Sequence, residues 1–322
     1  MKKALIVGIN NYPRAPLNGC INDAAEVSSY LKTHGDGSPN FAVKLETDVP
    51  TKAKLKALIE ELFKGDSEAA LLYFSGHGYT DATGGYLVTP DFERYDEGVS
   101  MDAILVLANK SVIRNKVIIL DCCHSGAFGT PATLGQVITQ IGSGVTILTA
   151  CRDNEPSMER DGHGIFTRLL LHALSGGAAD LTGHITPGSV YAHIDQALGE
   201  WGQRPVFKTN VSQFISLRKI NPPIPLDVLR RLTEYFTAPQ DKFALDPSFE
   251  KTNVKDATPH ITKPYATPEN VRRFGELQQL EGVGLVVPND TRHMFFAAME
   301  SKSCSLTALG HHYWNLVKAE KI

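Results

Sequence analysis

The chain has 322 residues, 42% of them hydrophobic and 21% charged, with a formal net charge of −3. That length supports one large or two modest domains with hydrophobic cores, and that composition excludes a disordered chain. The charge balance excludes a global basic field of the kind that binds nucleic acid or anionic membrane, and no apolar run is long enough to span a bilayer. The opening "MKKALIVGINNYP" lacks the longer apolar segment and cleavage site of a signal peptide and reads as a first strand. Five cysteines, a low and odd count, point to free thiols in a reducing compartment, hence a cytoplasmic protein.

In chain order, short runs bounded by Gly, Asp or Ser predict strands at 3–9, 41–46, 69–75, 116–121 and 145–150. Their near-continuous apolar character suits strands buried on both faces of a sheet. "NDAAEVSSYLKTH" opens with an Asn/Asp cap signal, and "TKAKLKALIEELFKG" has helical apolar spacing and a stopping glycine. Further helices are predicted at 100–110, 133–141, 164–175 and 187–201. The alternation implies an α/β fold with a mostly parallel sheet, whose functional groups gather beyond the carboxyl ends of the strands.

Three prolines in "NPPIPLD" mark a boundary, giving domains at 1–220 and 221–322. The second part is proline-punctuated to about residue 266. It then reads as a helix ("ENVRRFGELQQLEGVG"), two apolar runs around an Asn-Asp turn ("GLVVPNDTRHMFFAAM") and a last helix. Helix, hairpin, helix predicts a winged-helix-like α+β module. Its Lys and Arg are scattered, while Phe295, Phe296, Tyr313 and Trp314 offer apolar contact surface. A protein activator or inhibitor is therefore a better expected partner for it than DNA. His311 and His312 read as ordinary helix residues.

Two strand ends carry chemistry. The run ending at Ser75 leads into "GHGYT", with His77 between glycines, and the run ending at Asp121 leads into "CCHSG". Neighbouring parallel strands bring these tips together. A thiol beside an imidazole can be deprotonated, and the thiolate is the attacking species. The N–H groups of Gly78 and Cys123 are candidate donors to a developing oxyanion. Adjacent cysteines do not have the spacing of a redox or zinc pair. Ser125 lacks a nucleophile elbow.

"SGHG" followed by "DCCHSG" resembles the caspase-like cysteine peptidases, and most closely their prokaryotic metacaspase or orthocaspase-type branch. "ALIVGINNYP", "LNGCINDAAEV", "ILTACRDNEPSME", "GHGIFTRLLLHAL" and "GQRPVF" extend the resemblance over residues 3 to 218. It implies a caspase-like three-layer fold with His77 as base and Cys123 as nucleophile. Cys122 would be a packing neighbour, as would Cys20, Cys151 and Cys304. It also implies a pocket formed by Asp23 and Asp121, and protein substrates cut after Arg or Lys. Asp153 and Glu155 are possible borders of that pocket.

The chemistry needs no cofactor. Calcium activation is known among relatives, and Asp91, Asp96, Glu97 and Asp102 are candidate ligands, though not at the spacing of a calcium loop. From His124 to Cys151 there is no Lys or Arg, so a basic-specific enzyme has no self-cutting site there. "LRRL" (229–232) and "VRRF" (271–274) are the alternatives. The expected protein is thus a latent peptidase, with a role in bacterial defence as family analogy. A silent scaffold or a DNA-binding regulator is the alternative.

Overall fold

The computed structural model describes residues 1–81, 84–122, 141–150, 159–160, 163–198, 205–255 and 262–322. The chain forms two compact units, Met1–Asn221 and Pro222–Ile322.

The first unit runs β1 (Lys2–Gly8), α1 (Cys20–Lys32), β2 (Phe41–Thr47), α2 (Lys52–Phe63), β3 (Ala69–Ser75), β4 (Gly78–Asp81), β5 (Gly84–Leu87), β6 (Val99–Ser100), α3 (Met101–Lys110), β7 (Asn115–Asp121) and β8 (Val145–Thr149). It continues with β9 (Glu159–Arg160), β10 (His163–Gly164), α4 (Ile165–His172), β11 (His184–Ile185), α5 (Pro187–Leu198), β12 (Val206–Asn210) and β13 (Arg218–Lys219). The predicted helix at 133–141 falls largely outside the described residues.

Six strands form one sheet in the order β12-β8-β7-β3-β1-β2, parallel except for β12. Side chains alternate between two cores, as the two-residue strand period demands. Leu72, Phe74, Ile118 and Leu120 pack with α2 and α3. Leu71, Tyr73, Val117 and Ile119 pack with α1, α4 and α5. The result is a three-layer α/β domain. Every residue of β3 is buried, which explains its unbroken apolar run. The chain passes from β1 outward to β2 and then back to β3 on the other side of β1. The strand order therefore reverses between β1 and β3, the position where sheets of this kind open a crevice.

Two expectations are corrected here. Asn22 and Asp23 do not cap α1, which begins at Cys20 behind Gly19 with no side-chain cap. Asp23 instead turns into the core and accepts a hydrogen bond from the backbone of Gly164. The segment after His77 is not only a loop: Gly78 opens β4, and β4, β5 and β6 form a small antiparallel sheet. Its short strands and glycines hid the pattern.

The second unit contains α6 (Leu226–Arg230), α7 (Leu232–Tyr235), β14 (Lys242–Ala244), α8 (Pro268–Gly282), β15 (Val286–Pro288), α9 (Met294–Met299), β16 (Ser303–Leu306) and α10 (Ala308–Lys318). Its sheet is antiparallel in the order β14-β16-β15. The hairpin expected at 285–299 is not formed. "MFFAAM" is helical, because its buried residues Met294, Ala297 and Ala298 recur at helical spacing, and β15 pairs with β16 beyond it. Tyr313 and Trp314 face inward rather than offering surface, and Trp314 Nε1 donates to the Phe236 carbonyl at 2.7 Å. Phe295 and Phe296 are exposed, as are His311 and His312.

Glu276 on α8 is 7% exposed and accepts from Tyr235, Arg231 and, at 2.7 Å, Arg272. Burial raises the pKa of its carboxyl, but these three donors outweigh burial and hold it below the ordinary value. In "LRRL", Arg231 sits between α6 and α7, and in "VRRF", Arg272 lies on α8; both pair with Glu276.

A carboxyl whose pKa is lowered on folding adds stability above its unfolded pKa and loses it as pH falls. We therefore expect Glu276→Gln to cost about 1–3 kcal/mol at pH 7. The difference from wild type shrinks at pH 4 and below. Urea unfolding followed by Trp314 fluorescence in a Trp201→Phe background measures it.

Candidate active site

The site sits at the carboxyl ends of β1, β3 and β7. The β3–β7 register sets Ser75 opposite Asp121, and the β1–β3 register sets Gly8 opposite Ser75. His77 follows two residues after Ser75 and faces the loop that leaves β1. Its Nε2 lies 2.7 Å from the carbonyl oxygen of Ala15. A carbonyl only accepts, so Nε2 carries the proton and Nδ1 holds the lone pair of the neutral ring.

Tyr12 locks this arrangement from beneath. Its ring meets the imidazole edge-on at 4.5 Å between centroids. Its hydroxyl donates to the Val88 carbonyl at 3.1 Å and accepts from the His77 N–H at 3.0 Å. Burial above all holds that hydroxyl protonated, far above the ordinary tyrosine value. A side chain at Gly76 would put Cβ 2.5 Å from the Tyr12 hydroxyl, so the first glycine of "GHG" is a requirement of this packing. Val88 N–H donates to the His77 carbonyl at 3.0 Å. That makes Gly78 and Leu87 a non-hydrogen-bonded pair of the ladder, and the Gly78 N–H turns away from β5.

Cys122 is fully buried in the core on the α2–α3 side, with Leu120 and Ile118. Cys123, His124 and Ser125 lie outside the described residues, as do Cys151, Asp153 and Glu155. Cys20 and Cys304 are buried. His77 and Tyr12 also line a cavity of about 480 Å³ on the α2–α3 side, whose walls include Val88, Tyr79 and Phe92.

Asp121 points to the opposite side of the sheet, towards α1 and α4. It is 4% exposed, and Asp23 is 1% exposed. The two carboxylates converge on the start of α4. Asp23 Oδ2 accepts from the Gly164 N–H at 3.1 Å. Asp121 Oδ2 accepts from the Thr167 N–H at 3.2 Å and from Thr167 Oγ1 at 2.6 Å. A Cβ at Gly164 would fall 2.4 Å from Asp121 Oδ2 and 3.3 Å from Asp23 Oδ2. Both acids therefore meet at one glycine.

Three of the four calcium candidates have partners within the chain. Asp91 accepts from the Lys52 N–H and from Thr89 Oγ1, and Asp96 pairs with the Lys52 ammonium. Glu97 accepts from the Tyr95 N–H at 2.9 Å, and Asp102 lies in the first turn of α3. Among the described residues, no three His, Cys, Asp or Glu side chains gather as a metal site would require.

The sequence pattern gave no sign of Ala15, because a backbone carbonyl has no side-chain signature. Tyr73 and Thr167 are masked by the apolar texture of their elements, and Tyr12 by its place in the irregular segment between β1 and α1. Only the "GHG" of 162–164 marked the spot where the carboxylates meet.

A mostly parallel three-layer α/β domain whose candidate site lies at the carboxyl ends of its strands has the architecture of the caspase-fold peptidases. The chain belongs to the caspase domain family, peptidase C14, which matches residues 1–214. It is 35% identical over 146 residues to Metacaspase-1 of Scheffersomyces stipitis, covering 39% of this chain and 36% of that protein. It is 29% identical over 161 residues to Metacaspase-1 of Mycosarcoma maydis, covering 44% and 39%. The chain thus spans well under half the length of these curated relatives. Its fold is similar to the crystal structure of a Geobacter sulfurreducens protein, at 18% identity and a TM-score of 0.51, covering 68% of this chain and 99% of that one. No helix among the described residues is long and apolar enough to cross a membrane.

The Ala15 contact makes a direct prediction. Nitrogen-15 NMR of the neutral His77 ring shows protonated Nε2 and bare Nδ1. Replacing Tyr12 by Phe, which removes the hydroxyl that fixes the His77 backbone, moves the ring towards a mixture of tautomers.

Proposed function

We propose that this chain is a cysteine endopeptidase that cleaves proteins after Arg or Lys, with Cys123 as nucleophile and His77 as base. The observation that carries the specificity is the convergence of Asp23 and Asp121 beside the His77 strand tip. An acidic recess favours a guanidinium or ammonium group of the substrate, and an acidic side chain is repelled.

In this reading, Ala15 holds the Nε2 proton and Nδ1 takes the proton from the Cys123 thiol. The thiolate adds to the scissile carbonyl, and the Gly78 and Cys123 N–H groups receive the oxyanion. The imidazolium returns its proton to the leaving amine as the C–N bond breaks. Water activated by His77 then hydrolyses the acyl-enzyme and frees the thiol. Membership of the prokaryotic branch, latency and a regulatory or recruiting role for residues 222–322 belong to the same proposal. The exposed, mutually packed Phe295 and Phe296 are the surface that module offers to a protein partner.

Fluorogenic peptides ending in Arg, Lys or Asp test this, assayed with and without Ca²⁺. We expect turnover of the first two only. Cys123→Ala or His77→Ala lowers kcat by roughly 10³-fold or more, whereas Cys122→Ala leaves kcat within about threefold. Turnover that survives Cys123→Ala refutes the assignment of the nucleophile.

A further inference from the structure

Two buried carboxylates that converge on one point need donors to hold them there. The first turn of α4 supplies them. Its N–H groups have no partner within the helix, and two of them, at Gly164 and Thr167, are given to Asp23 and Asp121. The third donor is the Thr167 hydroxyl. That hydroxyl has one proton, and at 2.6 Å it goes to Asp121 Oδ2. Tyr73 Oη lies 2.6 Å from the same Oγ1, so Tyr73 must be the donor in that contact. The chain of bonds therefore runs from Tyr73 through Thr167 to Asp121. Burial, then the charges of Asp121 and Asp23, push the Tyr73 hydroxyl well above its ordinary value and keep it a donor.

We propose that Thr167 and Tyr73 are positioning residues for the basic-residue pocket, fixing Asp121 Oδ2 while Gly164 fixes Asp23 Oδ2, so that both carboxylates are presented to a single cation. The inference rests on the reading of Asp23 and Asp121 as that pocket. Neither Thr167 nor Tyr73 touches the substrate. They act through the orientation and charge of Asp121. Gly164 has a second part in this: with no side chain, it lets the two acids approach one point.

The test measures binding, so that it does not depend on turnover. The full chain carrying Cys123→Ala is titrated by calorimetry with a short peptide ending in Arg and with the same peptide ending in citrulline, which keeps the shape and lacks the charge. The background prefers Arg by roughly tenfold or more. Adding Thr167→Val, which keeps the shape and removes the hydroxyl, lowers that preference roughly tenfold. Tyr73→Phe lowers it less, by about threefold, and Thr167→Ser restores it. In the active chain the same changes raise KM for Arg substrates more than they lower kcat.

A background that binds both peptides equally overturns the pocket itself, and this inference with it. A background that prefers Arg, with that preference unchanged by Thr167→Val, overturns the positioning role alone. If the valine variant does not fold, the comparison of Tyr73→Phe with Thr167→Ser decides in the same way.

Discussion

The register of β3 is the constraint on which the rest of the domain depends. The strand is flanked by β1 and β7, each paired with it over seven residues, and none of its seven side chains reaches water. A one-residue slip would send Tyr73 into the α2–α3 core and Phe74 into the α1–α4 core. Tyr73 would then lie on the wrong face for Thr167, and Phe74 would leave a void on the other side. Packing on two faces therefore allows a single alignment. That alignment sets Ser75 opposite Asp121 and delivers His77 to the crevice where the strand order reverses.

The sheet also separates functions by face. Asp121 and Cys122 are consecutive, yet one turns towards α4 and the other into the core beneath α2 and α3. Charge gathers on one side of the sheet, around Asp23, Asp121 and the start of α4. The imidazole and its aromatic support gather on the other, around Tyr12 and the cavity lined by Val88. The strand tips are thus flanked by buried carboxylates on one face and by an aromatic-lined cavity on the other. The parallel sheet supplies this division without any loop having to create it.

Much of this was legible in the sequence because strands buried on both faces read as unbroken apolar runs. All five runs from "KALIVGI" to "VTILTA" appear as strands within a residue or two of their predicted limits. Helix spacing was equally clear for 52–63 and 101–110. Short elements are not legible: β4 to β6 hold glycines and few alternating positions, and "MFFAAM" reads as a strand although its burial follows a helical period. Asp23 shows a second limit. Its type and place suit a helix cap, but a carboxylate spends its hydrogen bonds wherever the fold offers donors, and here the stronger offer came from Gly164, 141 residues away. The trio Tyr73, Thr167 and Asp121 was invisible for a similar reason. Two of its members sit in otherwise apolar segments, and only the sheet and α4 together bring them into one line.

The partner of the His77 ring has a consequence of its own. Where an aspartate or asparagine orients a catalytic imidazole, one nucleotide change can delete the orienting group. A main-chain oxygen at residue 15 is proof against any such change, because every amino acid carries it. The vulnerability moves from the identity of a residue to the course of the segment between Ile9 and Gly19. Whatever bends that segment detunes the imidazole while every side chain in the site stays as it was. In this domain, inheritance protects the partner of the His77 ring, and shape alone governs how the two meet.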